Sequence, residues 1–373
     1  MPLSKIQLGN TGSGRKNLII NGGMQVAQRS TSAVTSVNQE YKTVDRVKSV
    51  FVTSGTVQTQ QVQDVPAGEG FSHSMKTTVT GADTSVAAGD FLDLYQQRIE
   101  ARNISTLMYG TSGAKTTTLS FYVKSNVTGV YNGTISNQND SVKLPFSFSI
   151  SSANTWERII IDNIPPITTG SDSGLAWETS TLTNMGAAIR IYGMLGSTYY
   201  GATNKVWNTA GTANSYGHQA QVNLLSSTNN NFFITGMQWE EGTNATEFEH
   251  RSFDEELILC QRYYQKSYIY ETAPGTATQH GSWSTGGHQG GTSTAYVEGV
   301  INFERLMRAT PTITLYDHSG NSNKCARLAT GVARYQNESI STSQINARGI
   351  TMYSTSGTAA GIVQGHYTAS AEL

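Results

Sequence analysis

Short runs of alternating apolar and polar residues, separated by clusters of Gly, Ser, Thr and Asn, occupy most of this chain. The pattern predicts strands joined by tight turns. Leu119, Phe121 and Val123 point one way within 119–125, and Phe146, Phe148 and Ile150 alternate in PFSFSI. Phe233, Met237 and Trp239 predict another strand, and 44–52 reads as one more. Two runs, 158–164 and 188–195, are almost continuously apolar, which predicts strands buried on both faces. Further on, 296–303 alternates cleanly, 349–353 forms a strand, and 311–316 forms another with Pro311 at its start, where a missing amide does no harm. The chain ends on HYTASAEL, whose Tyr367, Ala369, Ala371 and Leu373 share one face. No repeat of fixed period appears, which argues against a propeller or a β-helix.

One segment breaks this pattern. Ser252 stands where it caps a helix, and Glu255 follows three residues later, the spacing of a capping box. Asp254, Glu255 and Glu256 suit the positive end of a helix dipole, and Arg262 and Lys266 the negative end. Phe253, Leu257, Cys260 and Tyr264 recur at helical spacing and predict one apolar stripe. The expected organisation is therefore all-β: an arm over 1–16, a first body of two packed antiparallel sheets over 17–250, a linker helix over 251–266, and a second, smaller C-terminal β-sandwich over 267–373. Asn21-Gly22-Gly23 predicts a turn between two apolar runs. The long loop 199–218 and the Gly-rich stretch 267–290 are expected to be functional or mobile.

Composition narrows the functional classes. With 37 Gly, 7 Pro and only 14% charged residues, the chain suits strands and turns rather than helix bundles. A net charge of −1 leaves no basic field for nucleic acid. No apolar run is long enough to insert in a membrane as a helix, and the first twenty residues lack the apolar core of a secretion signal. Cys260 and Cys325 are expected to be buried, reduced thiols, in keeping with synthesis in a reducing cytoplasm. The Asn-x-Ser/Thr triplets at 126–128 and 132–134 are expected to be unmodified.

Catalytic signatures are absent from the sequence. No Gly-rich phosphate loop precedes a helix, and the acidic start SFDEE would repel a phosphate. His73, His218, His250, His280, His288, His318 and His366 are scattered without metal-ligand spacing, so no metal or other cofactor is expected. His250 reads as a hydrogen-bonding residue at the helix entry. Glu240, Glu241, Glu247 and Glu249 cluster before the helix and read as a solvated face, while Asp93, Glu100, Asp162, Asp172 and Glu178 show no pairing of the kind a glycosidase needs. No nucleophile elbow is present, and Cys260 on an apolar stripe is poorly placed as a thiolate. What stands out is aromatic residues in polar, Gly-rich loops: Trp177, Tyr199, Tyr200, Trp207, Tyr216 and Trp283. Such rings suit the apolar face of a sugar; the alternative is that they close the ends of the sandwich.

The order of several motifs resembles a known family. NLIINGGMQVAQRST, then QRIE at 97–100, LSFYVKS, TWERIIIDNI, ITGMQWEEG and TEFEHRSFDEELILCQRYYQK are similar to segments of phage tail-fibre and virion appendage proteins, especially those of marine and cyanobacterial phages. The ends FERLMRATPTITLY and YTASAEL resemble the distal β module of such proteins. The resemblance implies a jelly-roll first body like that of carbohydrate-binding modules, homotrimers in the virion, and an N-terminal arm that docks on tail or capsid proteins. It implies no catalytic residues. It gives Phe248, His250, Arg251 and Phe253 a structural role, tying the sandwich to the distal domain. With no heptad shaft or β-helix repeat, the appendage is expected to be short and globular. The resulting expectation is a non-enzymatic receptor-binding protein of the virion that holds host surface polysaccharide through many weak sites, with a decoration or adaptor protein and a glycan depolymerase as alternatives. Trimerisation would also cover exposed edge strands.

Overall fold

A computed structural model describes residues 16–168, 177, 181–285, 297–329, 334–354 and 361–373. The expected arm lies outside them apart from Lys16. The first body contains β1 (Val34–Thr35), β2 (Lys48–Val52), β3 (Thr56–Val62), β4 (Ser74–Gly81), β5 (Phe91–Glu100), the single turn α1 (Ala101–Ile104), β6 (Thr117–Ser125), β7 (Gly129–Asn137), β8 (Lys143–Ile150), β9 (Glu157–Ile164), β10 (Met185–Leu195) and β11 (Asn231–Glu241). They form two antiparallel sheets, one ordered β1-β3-β4-β11-β6-β9 and the other β2-β5-β10-β7-β8. The inward residues of both sheets, among them Phe121, Tyr131, Ile189 and Trp239, make one continuous apolar core, as in jelly-roll sandwiches.

Two strands depart from the pattern expected of them. In β11, Gly236 adopts φ 65° and the register shifts between Thr235 and Gln238. This bulge changes the phase of the strand, so Phe232 and Ile234 face the core before it and Met237 and Trp239 after it. Phe233 therefore points outward, against Lys124 and Trp156, and does not share a face with Met237. The run 158–164 is not buried on both faces either. It forms β9 at the edge of its sheet, and Ile160 remains 47% exposed. In contrast, β10 sits between β5 and β7 and is buried almost throughout. Of 44–52, only Lys48–Val52 is strand.

Residues 17–26 pack as irregular backbone. The turn at Asn21 forms, with the amide of Met24 donating to its carbonyl oxygen, but the flanking apolar residues are not strands. Main-chain bonds such as Leu18 N to Trp239 O satisfy part of their backbone, and side chains satisfy more of it. Asn17 Nδ2 donates to Met237 O, Gln97 Nε2 to Ile20 O, and Arg251 to the carbonyls of Asn17 and Ile19.

Helix α2 (Phe253–Gln261) is shorter than 251–266. Its capping box is formed by Ser252 and Glu255 as read from the sequence. Its buried face is Glu256 and Cys260, whereas Phe253 is 39% exposed, so the apolar stripe is broken. Arg262 is the C-cap, and Lys266 lies in the next strand. Both cysteines are buried, and neither is in a disulfide.

The distal body contains β12 (Tyr264–Lys266), β13 (Trp283–Thr285), β14 (Val297–Asn302), β15 (Thr312–Tyr316), β16 (Lys324–Ala329), β17 (Arg334–Ser339), β18 (Ser341–Asn346), β19 (Gly349–Ser354) and β20 (Gly361–Ser370). The terminal strand β20 is its hub, pairing with β12, β13, β15 and β16, and a second sheet is ordered β14-β19-β18. Tyr367, Ala369 and Ala371 enter the distal core as their alternation predicts. Leu373 instead packs at the junction with Ile20, Val26, Cys260 and Tyr263. Glu372 bridges Arg29 and Arg46 of the first body, and Arg308 donates to Thr183 O, so the two bodies are joined by buried polar contacts as well as by chain. Part of the 267–290 stretch lies outside the described residues; its 283–285 portion is β13.

Candidate functional site

The outward face of the five-stranded sheet carries two cross-strand rows. Val50, Asp93 and Tyr192 stand opposite one another on β2, β5 and β10. Lys48, Gln96, Arg190 and Thr134 form the second row, from β2 across to β7. Asp93 and Gln96 are three apart, a spacing that puts residues of a regular strand on opposite faces. Here the register shifts between them, and Leu94 and Tyr95 both turn into the core.

The long loop 196–223 then crosses this face. Thr134 donates to the carbonyl of Tyr216, Asn132 Nδ2 to Gln219 O at 2.8 Å, and Gln221 Nε2 to Tyr192 O at 3.1 Å. Asn208 and Lys143 exchange backbone hydrogen bonds at 2.7 and 3.0 Å, and Lys205 Nζ reaches Asp162 at 2.9 Å. The β7–β8 half of the sheet is thereby covered. Above the β2–β5–β10 half remains a cavity of about 220 Å³, lined among others by Phe91, Asp93, Gln96, Arg98, Asp140, Arg190, Tyr199 and Tyr216.

Its floor is held by one guanidinium. Arg190 donates from Nη1 and Nη2 to the two carboxylate oxygens of Asp140 at 2.8 and 2.9 Å, and from Nη1 to Ser136 Oγ at 2.9 Å. With its carboxamide oxygen turned toward the guanidinium, Gln96 accepts from Nε at 2.7 Å and Nη2 at 3.1 Å. Asp93 Oδ2 lies 3.7 Å from Nε, and Asp93 Oδ1 is buried without a hydrogen-bond partner. Burial pushes the Asp93 carboxyl up to about 8 although Arg190 opposes the shift. Burial would also raise Asp140, but the charge and hydrogen bonds of Arg190 hold it below its ordinary value. Burial, with repulsion from Arg98 and Arg190, brings Lys48 down to about 8.

The wall is aromatic. Phe91 meets Tyr199 edge-on at 5.4 Å, and Tyr199 meets Tyr216 edge-on at 5.8 Å. Lys143 and Arg190 lie 4.6 and 5.7 Å from the centre of the Tyr216 ring, within cation–π range.

Of the six aromatic residues selected from the sequence, the structure brings Tyr199 and Tyr216 together in this cavity. Tyr200, the next residue, lines a separate groove with Met194 and Val222. Trp177 is buried, only 4% exposed, and packs edge-on against Tyr109 and Trp207. Trp207 donates Nε1 to Pro165 O at 2.7 Å, so this pair closes one end of the sandwich. Trp283 packs in the distal cores, its ring close to Gly365.

Sequence reasoning did not select Asp93, Gln96, Arg98, Asp140 or Arg190 as a site. A signal existed: Asp93 interrupts FLDLY and Arg190 interrupts AAIRIYG, each a charge inside an apolar strand. Nor are the acids before α2 all a solvated face. Glu240 is buried and accepts from Thr246 N, Thr246 Oγ1 and Gln238 Nε2, and Glu249 accepts from Asn17 N. His250 Nε2 lies 3.0 Å from Glu69 O, with its ring against Phe71 and Phe248. Among the described residues, no group of three or more His, Cys, Asp or Glu is placed to hold a metal ion.

No protein-family model and no curated protein matches the chain. Solved structures with partial likeness include the enzymatically active domain of bacteriophage CBA120 tailspike protein 4, at 13% identity and TM-score 0.30, over 61% of this chain and 21% of that one. A family 11 carbohydrate-binding module from Clostridium thermocellum, in complex with a β-1,3-1,4-mixed-linked tetrasaccharide, is 14% identical with TM-score 0.28, over 57% of this chain and all (100%) of the module. TmCBM61, in complex with β-1,4-galactotriose, is 9% identical with TM-score 0.28, over 61% of this chain and 100% of its own. The chain thus spans about a fifth of the tailspike domain's length. At such scores the functional reading rests on this chain's own residues.

Proposed function

We propose that the first body is a non-catalytic glycan-binding module and that the cavity above β5 and β10 is its site. One observation carries this reading: the rings of Phe91, Tyr199 and Tyr216 edge a cavity whose floor presents Asp93, Gln96 and Arg98 around a guanidinium fixed by Asp140. A pyranose offers one apolar face and a rim of hydroxyls. Rings supply stacking for the face, and planar amide, carboxyl and guanidinium groups supply directional hydrogen bonds for the rim. Arg190 and Gln96 on the floor are held by partners in or beside the sheet, so little order must be imposed on them at binding.

In the same reading the protein is a receptor-binding tail fibre of a phage virion, docked through 1–16 and assembled as a homotrimer. Several shallow sites on one particle then bind host polysaccharide through avidity. Titration calorimetry against a panel of oligosaccharides tests the module. Binding lost in Tyr199→Ala and Tyr216→Ala is expected, and binding indifferent to both overturns the site. Release of reducing ends from a bound polysaccharide would replace binding with depolymerase activity. For the virion role, purified protein is expected to adsorb to host cells and block infection. If it does neither, it serves as a decoration. Mass photometry showing a monomer overturns the trimer.

A further inference from the structure

We propose, building on the reading of this cavity as a glycan site, that the sugar it takes is anionic: a uronic-acid residue whose carboxylate is held by Arg98 beside Lys48 while its ring packs on Tyr199 and Tyr216.

The inference comes from an imbalance of partners. Two cations line the cavity, Arg98 on β5 and Arg190 on β10; Lys48 stands opposite Gln96 on the neighbouring strand β2, and Lys143 on β8 reaches Asp140. Two carboxylates face them, Asp93 and Asp140. Asp140 is consumed by Arg190 in a two-pronged pair, and its backbone carbonyl also accepts from Lys143 Nζ. Asp93 faces Arg190 through Oδ2. Among the described residues, neither Arg98 nor Lys48 has a carboxylate within ion-pair distance, and Arg98 Nε is buried without a hydrogen-bond partner. Lys48 is itself buried, 5% exposed, with only the ring of Tyr41 as a cation–π neighbour at 5.8 Å.

A buried ammonium and a guanidinium left without counter-charge are costly in an apolar protein, and an arriving anion recovers that cost. Burial favours the neutral form of Asp93, which weakens it as a counter-charge, and the same burial lowers Lys48, which leaves Arg98 as the principal cation for an arriving anion. The flat guanidinium fork of Arg98 matches a carboxylate, whose two oxygens lie in one plane. A neutral sugar would leave both cations as they are.

The test compares one polymer in two chemical states: polygalacturonate and the same polymer with its carboxyls reduced to hydroxymethyl groups, each titrated into the full-length protein. The acidic form is expected to bind at least about tenfold more tightly, the size of one charge-assisted hydrogen bond. That preference should shrink as salt rises from about 50 to about 500 mM. Arg98→Ala and Lys48→Met should each weaken binding of the acidic polymer more than that of the reduced polymer, so that the preference is lost. Equal affinity for the two polymers overturns the anionic inference and leaves the glycan site standing. No binding of either, or binding unchanged in Tyr199→Ala, overturns the glycan site itself. Dextran sulfate bound as tightly, and without dependence on Tyr199, would show charge attraction without a site and also overturns the inference. The comparison of polymers on the unaltered protein decides the matter even if a variant fails to fold.

Discussion

Glu100 and Arg262 form a two-pronged pair between the bodies of this protein. Arg262 donates from Nη2 to Glu100 Oε1 at 2.7 Å and from Nε to Oε2 at 2.9 Å. Glu100 is the last residue of β5 and is fully buried; Arg262 is the C-cap of α2. Tyr263 donates its hydroxyl to the same carboxylate at 2.8 Å, and Arg102 Nε lies 2.8 Å away. The strand that ends at this clamp also carries Asp93, Gln96 and Arg98, so the junction and the cavity share one rigid element.

Removing one partner of a buried pair leaves the other charge uncompensated. Glu100→Ala is therefore expected to destabilise the protein by about 3 kcal/mol, measured by urea unfolding. A change below about 0.5 kcal/mol, the range of ordinary surface substitutions, would show that the clamp contributes nothing net.

Asp93 makes stability depend on pH in a direction opposite to that of an ordinary paired carboxylate. Its folded-state value, about 8, lies above the ordinary value of 3.8, so between these limits the folded state holds a proton that the unfolded state has released. Its contribution is full below the unfolded value and is lost as pH rises toward the folded one. Asp93→Asn, which cannot ionise, is expected to gain thermal stability relative to the parent as pH rises from 5 to 9. A difference in melting temperature that stays constant over that range would count against a neutral Asp93.

Ser252 accepts from Glu255 N at 3.3 Å, and Glu255 Oε2 accepts from Ser252 N at 2.9 Å. Ser252→Ala removes the hydroxyl half of this box. The expected cost is about 1 kcal/mol, read from denaturant midpoints at unchanged slope.

Gly236 makes the bulge of β11. A Cβ there would sit 2.6 Å from the Phe71 ring, on a backbone at φ +65°. Both the strain and the clash oppose Gly236→Ala, so a loss of more than about 1 kcal/mol is expected, and a neutral or stabilising effect would contradict the role given to the bulge.

Trp177 separates the two functions considered for loop aromatics. Because it is buried between Tyr109 and Trp207, Trp177→Ala is expected to cost about 3 kcal/mol in stability. Glycan affinity of the folded variant should equal that of the parent. A loss of affinity without a loss of stability would return Trp177 to the binding surface.

The sequence by itself determined what is local. Turn chemistry and side-chain alternation place PFSFSI in β8 and the end of the chain in β20, and the Ser252–Glu255 spacing writes the capping box, because each depends on neighbours a few residues away. The tertiary structure decided what depends on register. Bulges in β5 and β11 add a residue and reverse the alternation, which turned Phe233 outward and put Asp93 and Gln96 on one face. The partners of that face come from β2, β10 and the turn after β7, and Tyr199 and Tyr216 arrive over it on a loop fixed by hydrogen bonds to β7 and β8. Burial likewise separated Glu240 from the exposed acids around it. No local spacing encodes such pairings, since they are settled only when strands distant in sequence choose their neighbours.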